Sequence, residues 1–173
     1  MIKGRMLKFR KFTILQRMAL LKGAVAILLL LMISCERSSS QLHFKNLGSE
    51  GWLQHDTLLF EVDSLLETGH YRLSVAMRTS SAKRYPYRQL VLQVRQNWNR
   101  DSLETVDTLF CHLAKPDGEI KGDGVSIYAY EFPLDTLSLD EGWCGKIYLR
   151  HLMRKSPLDG IYNIGVLLEK CTP

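Results

Sequence analysis

No run in this 173-residue chain is both long enough and apolar enough to cross a bilayer as a stable helix, which takes about 20 residues. The longest, GAVAILLLLMIS at 23–34, falls well short. No segment after Cys35 repeats its apolar residues at helical spacing for more than a turn, VDSLLETG coming nearest. GxSxG, HExxH, P-loop and GxGxxG patterns are also missing. These absences exclude a helical bundle and the enzyme classes that carry such local signatures, and they favour a signal helix over a permanent membrane-spanning one.

Cysteine is scarce as well. There are four, of which Cys111, Cys144 and Cys171 follow Cys35, and three thiols permit at most one internal disulfide. Their alternative role is that of small buried strand residues. The five histidines stand singly at 43, 55, 70, 112 and 151. His112 adjoins Cys111, but neighbours on a strand point to opposite faces and cannot cooperate directly. No cofactor and no metal site is expected. PDGEIKGDG offers Asp117, Glu119 and Asp123, yet it lacks the spacing of a calcium loop, and Lys115 and Lys121 offset its charge.

What is present begins with charge. Residues 1–22 hold seven basic side chains and no acidic one, and the apolar run follows them directly. That is the grammar of a secretory signal. It ends in LMISC, where Ser34 supplies the small residue before a cut and Cys35 the thiol to be acylated, a pattern that resembles a bacterial lipobox. The expected organisation is therefore a lipoprotein signal peptide at 1–34, a lipidated tether at 35–50 and one domain at 51–173.

Removal of the signal leaves 16 basic against 18 acidic residues, so the net charge moves from +5 to −2. The alkaline balance belongs to the signal and gives no support to nucleic-acid binding. Acyl chains each contribute about 0.8 kcal/mol per buried CH₂, so two or three hold a protein stably on a membrane. Only Glu36 is acidic before the serines of the tether, which leads us to expect outer-membrane anchoring that faces the periplasm.

The rest of the chain alternates with period two, the mark of half-buried strands. Tyr71, Leu73, Val75 and Met77 share one face against Arg72, Ser74, Ala76 and Arg78; Leu90, Leu92 and Val94 oppose Gln89, Gln93 and Arg95. WLQHDTLLFEV, VDTLFCHLA, GVSIYAYEF, GKIYLRHLM and GIYNIGVLLE read similarly. Seven or eight strands separated by Gly, Pro, Asp and Asn turns predict an all-β antiparallel sandwich, jelly-roll-like in order, after an N-terminal signal helix.

Two stretches are candidate interaction sites. In KRYPYR, Tyr85 and Tyr87 alternate with cations around Pro86, as needed for stacking on a sugar or a partner protein. In RHLMRKSPLDG, Pro157 and Gly160 shape a turn, and Arg154 is placed to pair with Asp159 across it or with a carboxylate elsewhere. On spacing alone this second stretch is a scaffold hairpin. A rival reading is a carbohydrate-binding sandwich using Tyr85, Tyr87, Trp98 and Trp143.

Four segments, RTSSAKRYPYRQLVLQV, VDTLFCHLAKPDGEIKGDG, GWCGKIYLRHLMR and LDGIYNIGVLLE, together with the lipobox, resemble the GldH family of gliding-motility lipoproteins of the Bacteroidetes. The Met153-Arg154 to Gly165 run is the most specific part. The resemblance implies a non-enzymatic envelope component whose partners are proteins of a gliding or type IX secretion complex, and a membrane lipid held through Cys35.

Overall fold

The computed structural model describes residues 40–82, 85–99 and 104–171. The signal segment, Cys35, Lys83 and Arg84 lie outside the described residues. Eight strands form in chain order: β1 (Ser40–Asn46), β2 (Leu58–Val62), β3 (Gly69–Ser80), β4 (Gln89–Trp98), β5 (Thr105–His112), β6 (Ile127–Leu139), β7 (Gly145–His151) and β8 (Ile161–Lys170). They make two antiparallel four-stranded sheets, ordered β1-β8-β3-β6 and β2-β7-β4-β5. Successive strands change sheet at every step except β4 to β5, which pair as a hairpin. This is the expected jelly-roll order.

The alternation does what it promised. Along β4, Leu90, Leu92, Val94, Gln96 and Trp98 are all buried while the residues between them are not. Tyr71, Leu73, Val75 and Met77 of β3 meet Ile147 and Leu149 of β7 within one continuous apolar core. Each such aliphatic side chain, fully buried, contributes about 1.5–3 kcal/mol.

Three features went beyond the expectation. Strand β1 lies inside the 35–50 stretch read as a tether, and it pairs with β8 from Ser40↔Glu169 to Asn46↔Asn163. Its alternation is weak because Leu42 and Phe44 face outward; the inward-side Gln41 instead binds the backbone of Asp63, accepting from its N–H at 2.8 Å and donating to its carbonyl at 3.1 Å. Those two bonds tie the edges of the two sheets together.

Strand β6 continues through Pro133, past the Phe132 end of its readable alternation. A proline cannot donate to a ladder, but β6 is an edge strand and is bonded to β3 on one side only. Leu134 is the extra residue of a bulge there, between the pairs Leu73↔Asp135 and Ser74↔Pro133. The bulge resets which side chains turn inward.

VDSLLETG, the nearest approach to a helix, is a loop. Buried Leu65 anchors it by donating to Trp143 O and accepting from Gly142 N–H, both at 2.8 Å. The tripeptide Asp-Thr-Leu occurs at 56–58, 107–109 and 135–137 with no common setting: Asp56 precedes β2, while Asp107 and Asp135 lie within β5 and β6.

Candidate functional site

The two candidate stretches meet at one end of the sandwich, where the 81–88, 113–126 and 152–160 connections gather. A cavity of about 580 Å³ opens there between Tyr85, Tyr87, Ile120, Tyr128 and Tyr130. A second, of about 530 Å³, adjoins it along Tyr87 and Arg88 and reaches His112, Lys121 and Met153.

Within this end the two loop tyrosines divide. Tyr85 is a core residue, 7% exposed, whose hydroxyl donates to Gln89 O at 3.1 Å. Burial raises its pKa far above the ordinary range, with Tyr87 and Cys111 adding to the shift, so the phenol stays protonated. Tyr87 packs edge-on against it, ring centroids 5.6 Å apart, and remains 39% exposed. Of the two, only Tyr87 is available to a partner.

The proposed carbohydrate platform does not assemble. Trp98 is buried at the opposite end of β4 from the tyrosine loop, with its Nε1–H on Gln96 Oε1 at 3.3 Å, and Trp143 packs half-buried against the core. The acidic loop is likewise committed to its own structure. Lys115 pairs with Glu119 at 2.6 Å, and Asp117 Oδ1 accepts from the Glu119 N–H at 3.0 Å.

Cys111 is fully buried, and burial pushes its thiol up to about 12, which keeps it from acting as a nucleophile. His112 beside it is exposed on the other face. Cys111, Cys144 and Cys171 are all free thiols. Among the described residues no three His, Cys, Asp or Glu side chains converge in the manner of a metal site.

The 150–160 stretch is held by a residue the sequence reading did not single out. Trp52, 1% exposed, exchanges two backbone hydrogen bonds with Leu158, N–H to O at 3.0 Å and O from N–H at 2.8 Å. Its indole donates to Asp56 O at 3.0 Å, and its ring meets that of His151 edge-on at 5.1 Å. A tryptophan opening a candidate strand was the available signal, but nothing in sequence separation linked it to residues a hundred positions on.

Among the described residues no ion pair joins Arg154 to Asp159. Arg154 is exposed, and Asp159 instead lines a small recess with Gly48, Gly51 and Ser80. Arg154→Ala should accordingly change stability by less than about 0.5 kcal/mol, a result read directly from chemical denaturation.

His151 is fully buried, with Nε2 3.0 Å from Trp52 O. The contact makes Nε2 the protonated nitrogen of the neutral ring, while Nδ1 has no hydrogen-bond partner among the described residues. Desolvation by burial lowers its pKa below 6.5, and Arg150 adds to this against the opposing pulls of Trp52 O and Asp56. The folded chain therefore binds this proton less readily than the unfolded chain. The stabilisation is complete above about pH 6.5 and is lost as pH falls from there through the folded value. His151→Phe should flatten the decline of melting temperature between pH 7 and 5, since Trp52 O keeps its bond from Leu158 N–H.

Taken together, these observations define a small jelly-roll domain whose polar clusters are structural and whose open surface is a loop-built end that exposes Tyr87. Residues 41–168 match the model of the GldH lipoprotein family, and the chain belongs to that family. It is 26% identical over 163 residues to "Gliding motility lipoprotein GldH" of Flavobacterium johnsoniae, an alignment covering 86% of this chain and 95% of that one. Among solved structures, a protein from Sulfurospirillum deleyianum is similar at TM-score 0.42 and 12% identity, over 77% of this chain and 98% of that one. The Eiger TNF of S. frugiperda is similar at 0.34 and 8%, over 78% and 95%.

Proposed function

We propose that this protein is a lipid-anchored component of the cell envelope, acylated at Cys35 after removal of residues 1–34, whose sandwich serves gliding motility or type IX secretion as a non-enzymatic interaction module. The observation that carries this reading is membership of the GldH lipoprotein family together with the LMISC sequence at 31–35. The F. johnsoniae relative is named for gliding motility. Anchoring at the outer membrane, facing the periplasm, is part of the same proposal.

The early start of β1 sharpens the anchoring. Only residues 36–39 separate Cys35 from Ser40, a reach of roughly 17 Å over five steps when extended at about 3.5 Å per residue. A tether this short keeps the domain against the lipid surface.

Cys35→Ala is the direct test, made in cells that depend on the protein. The variant should lose incorporation of labelled palmitate, leave the membrane fraction by at least about tenfold, as expected when two or three acyl chains are removed, and fail to complement a deletion. A Cys35→Ala protein that still sediments with membranes and complements would overturn the anchoring. Crosslinking of the lipidated form in intact cells then identifies the companions; recovery of glycan-uptake proteins in place of motility or secretion components would reject the assignment to a gliding or secretion complex.

A further inference from the structure

The two cavities at the loop-built end share Tyr87, Arg88 and Ala114, so they are lobes of one cleft. The first lobe is lined by Tyr85, Tyr128 and Tyr130 together with Leu113 and Ile120. The second is lined by Arg88, His112, Lys115, Lys121 and Met153. Among the described residues no carboxylate lines either lobe, although residues 35–173 as a whole hold 16 basic against 18 acidic side chains. The cleft therefore has an apolar half beside a cationic half.

Two of the cations are fastened to one residue. Arg88 O accepts from the N–H groups of Leu113 at 2.8 Å and Ala114 at 3.2 Å, and Leu113 O accepts from Lys121 N–H at 3.0 Å. Arg88 and Lys121, far apart in the chain, are each one backbone hydrogen bond from Leu113. Both side chains are exposed, and neither has a carboxylate partner among the described residues. Lys115 differs, since Glu119 neutralises it at 2.6 Å. Asp117 accepts from the Glu119 N–H at 3.0 Å and lines neither lobe.

The cleft also lies at the pole remote from the point where the chain enters the sheet. Ser40 pairs with Glu169, which pairs in turn with Arg72 near the start of β3, whereas Thr79 and Ser80 of the cleft stand at the far end of that strand. The separation along β3 is roughly 25 Å at about 3.3 Å per residue. An anionic lipid headgroup at the anchoring surface is thereby disfavoured as the occupant. An acidic sugar would answer the cations but leave the apolar lobe unfilled.

We infer that this cleft docks an acidic peptide segment of a partner protein, with an apolar side chain in the tyrosine-lined lobe and neighbouring carboxylates on Arg88 and Lys121. The inference deepens the interaction-module reading and rests on it. Arg88 offers a carboxylate two parallel N–H bonds, which fix its orientation, and Lys121 adds a point charge. Exposed ion pairs by themselves contribute little, so the apolar lobe supplies the burial that the contact needs.

The test uses the full-length lipidated protein in detergent micelles. The probe is a fluorescent, end-blocked decapeptide with one phenylalanine flanked by aspartates and glutamates, followed by anisotropy. It should bind at least tenfold more tightly than the same peptide with lysines for its acids, or with alanine for its phenylalanine. Arg88→Gln combined with Lys121→Gln should weaken it at least tenfold, the effect of losing hydrogen bonds to charged groups. The melting temperature should stay unchanged, because both side chains are exposed. No saturable binding below about 1 mM, equal binding of either control peptide, an affinity that survives the double substitution, or tighter binding of an oligogalacturonate overturns the proposal.

Crosslinking in intact cells separates this inference from the reading beneath it. The double variant should recover at least tenfold less of the companion that the wild type captures. Full recovery by the double variant overturns the cleft as the docking site and leaves the envelope-complex reading standing. Failure of that reading looks different, since the wild type itself would then capture no envelope companion.

Discussion

Trp52→Ala should destabilise the domain by about 3–5 kcal/mol, the range for removing a buried tryptophan, and lower the melting temperature by roughly 10 °C. The loss has two parts. The indole is 1% exposed and leaves a large void between β7 and the 152–160 connection, and the hydrogen bond from Nε1 to Asp56 O disappears with it. The edge-on contact with His151 goes too, leaving that imidazole beside the cavity. Equilibrium denaturation measures the total, and hydrogen exchange locates it, with the amides of Trp52 and Leu158 exchanging earliest. A loss below about 1 kcal/mol would mean that the connection is held by something other than this clamp.

Gly165→Ala is the second large effect, with an expected cost of about 1–3 kcal/mol or more from overpacking. Gly165 pairs with Phe44 in the β8–β1 ladder. A Cβ at this position overlaps His43 O and comes within 2.7 Å of Phe44 Cδ1. The side chain of Phe44 can turn away, but the carbonyl belongs to the ladder and moves only if β1 moves. The ring is also held from above by the Arg78 guanidinium, 4.5 Å from its centroid. Hydrogen exchange should therefore show protection lost along Ser40–Asn46 while β3 and β4 keep theirs. Uniform destabilisation with β1 still protected would sink this account.

The β1 result bears on anchoring as well as on stability. If Cys35 carries the lipid, β1 is the element through which any pull on the tether enters the fold. Pairing along its full length with β8, and the Gln41 bonds to Asp63, distribute that pull over both sheets.

Much of this fold was legible in the residues. Strands with one apolar face, such as β4 and β7, announce themselves because side chains alternate across a sheet and only one side meets the core. β1 was not legible, since its larger apolar residues lie on the outer face and its inward Gln41 is polar. The passage of β6 through Pro133 depended on being at an edge, which no local pattern states. Tyr85 and Tyr87 looked equivalent in KRYPYR, yet one fills the core and the other faces outward.

By itself, then, the sequence determined the class of architecture and the family resemblance, because each resides in spacing between near neighbours. Only the tertiary structure decided that the 150–160 stretch is clamped by Trp52, that Tyr85 is buried while Tyr87 stays exposed, and that β1 closes one sheet against β8. Those are contacts between residues far apart in the chain, or properties of a strand's position in its sheet. They come into being when loops close and sheets stack, and periodicity carries no information about either.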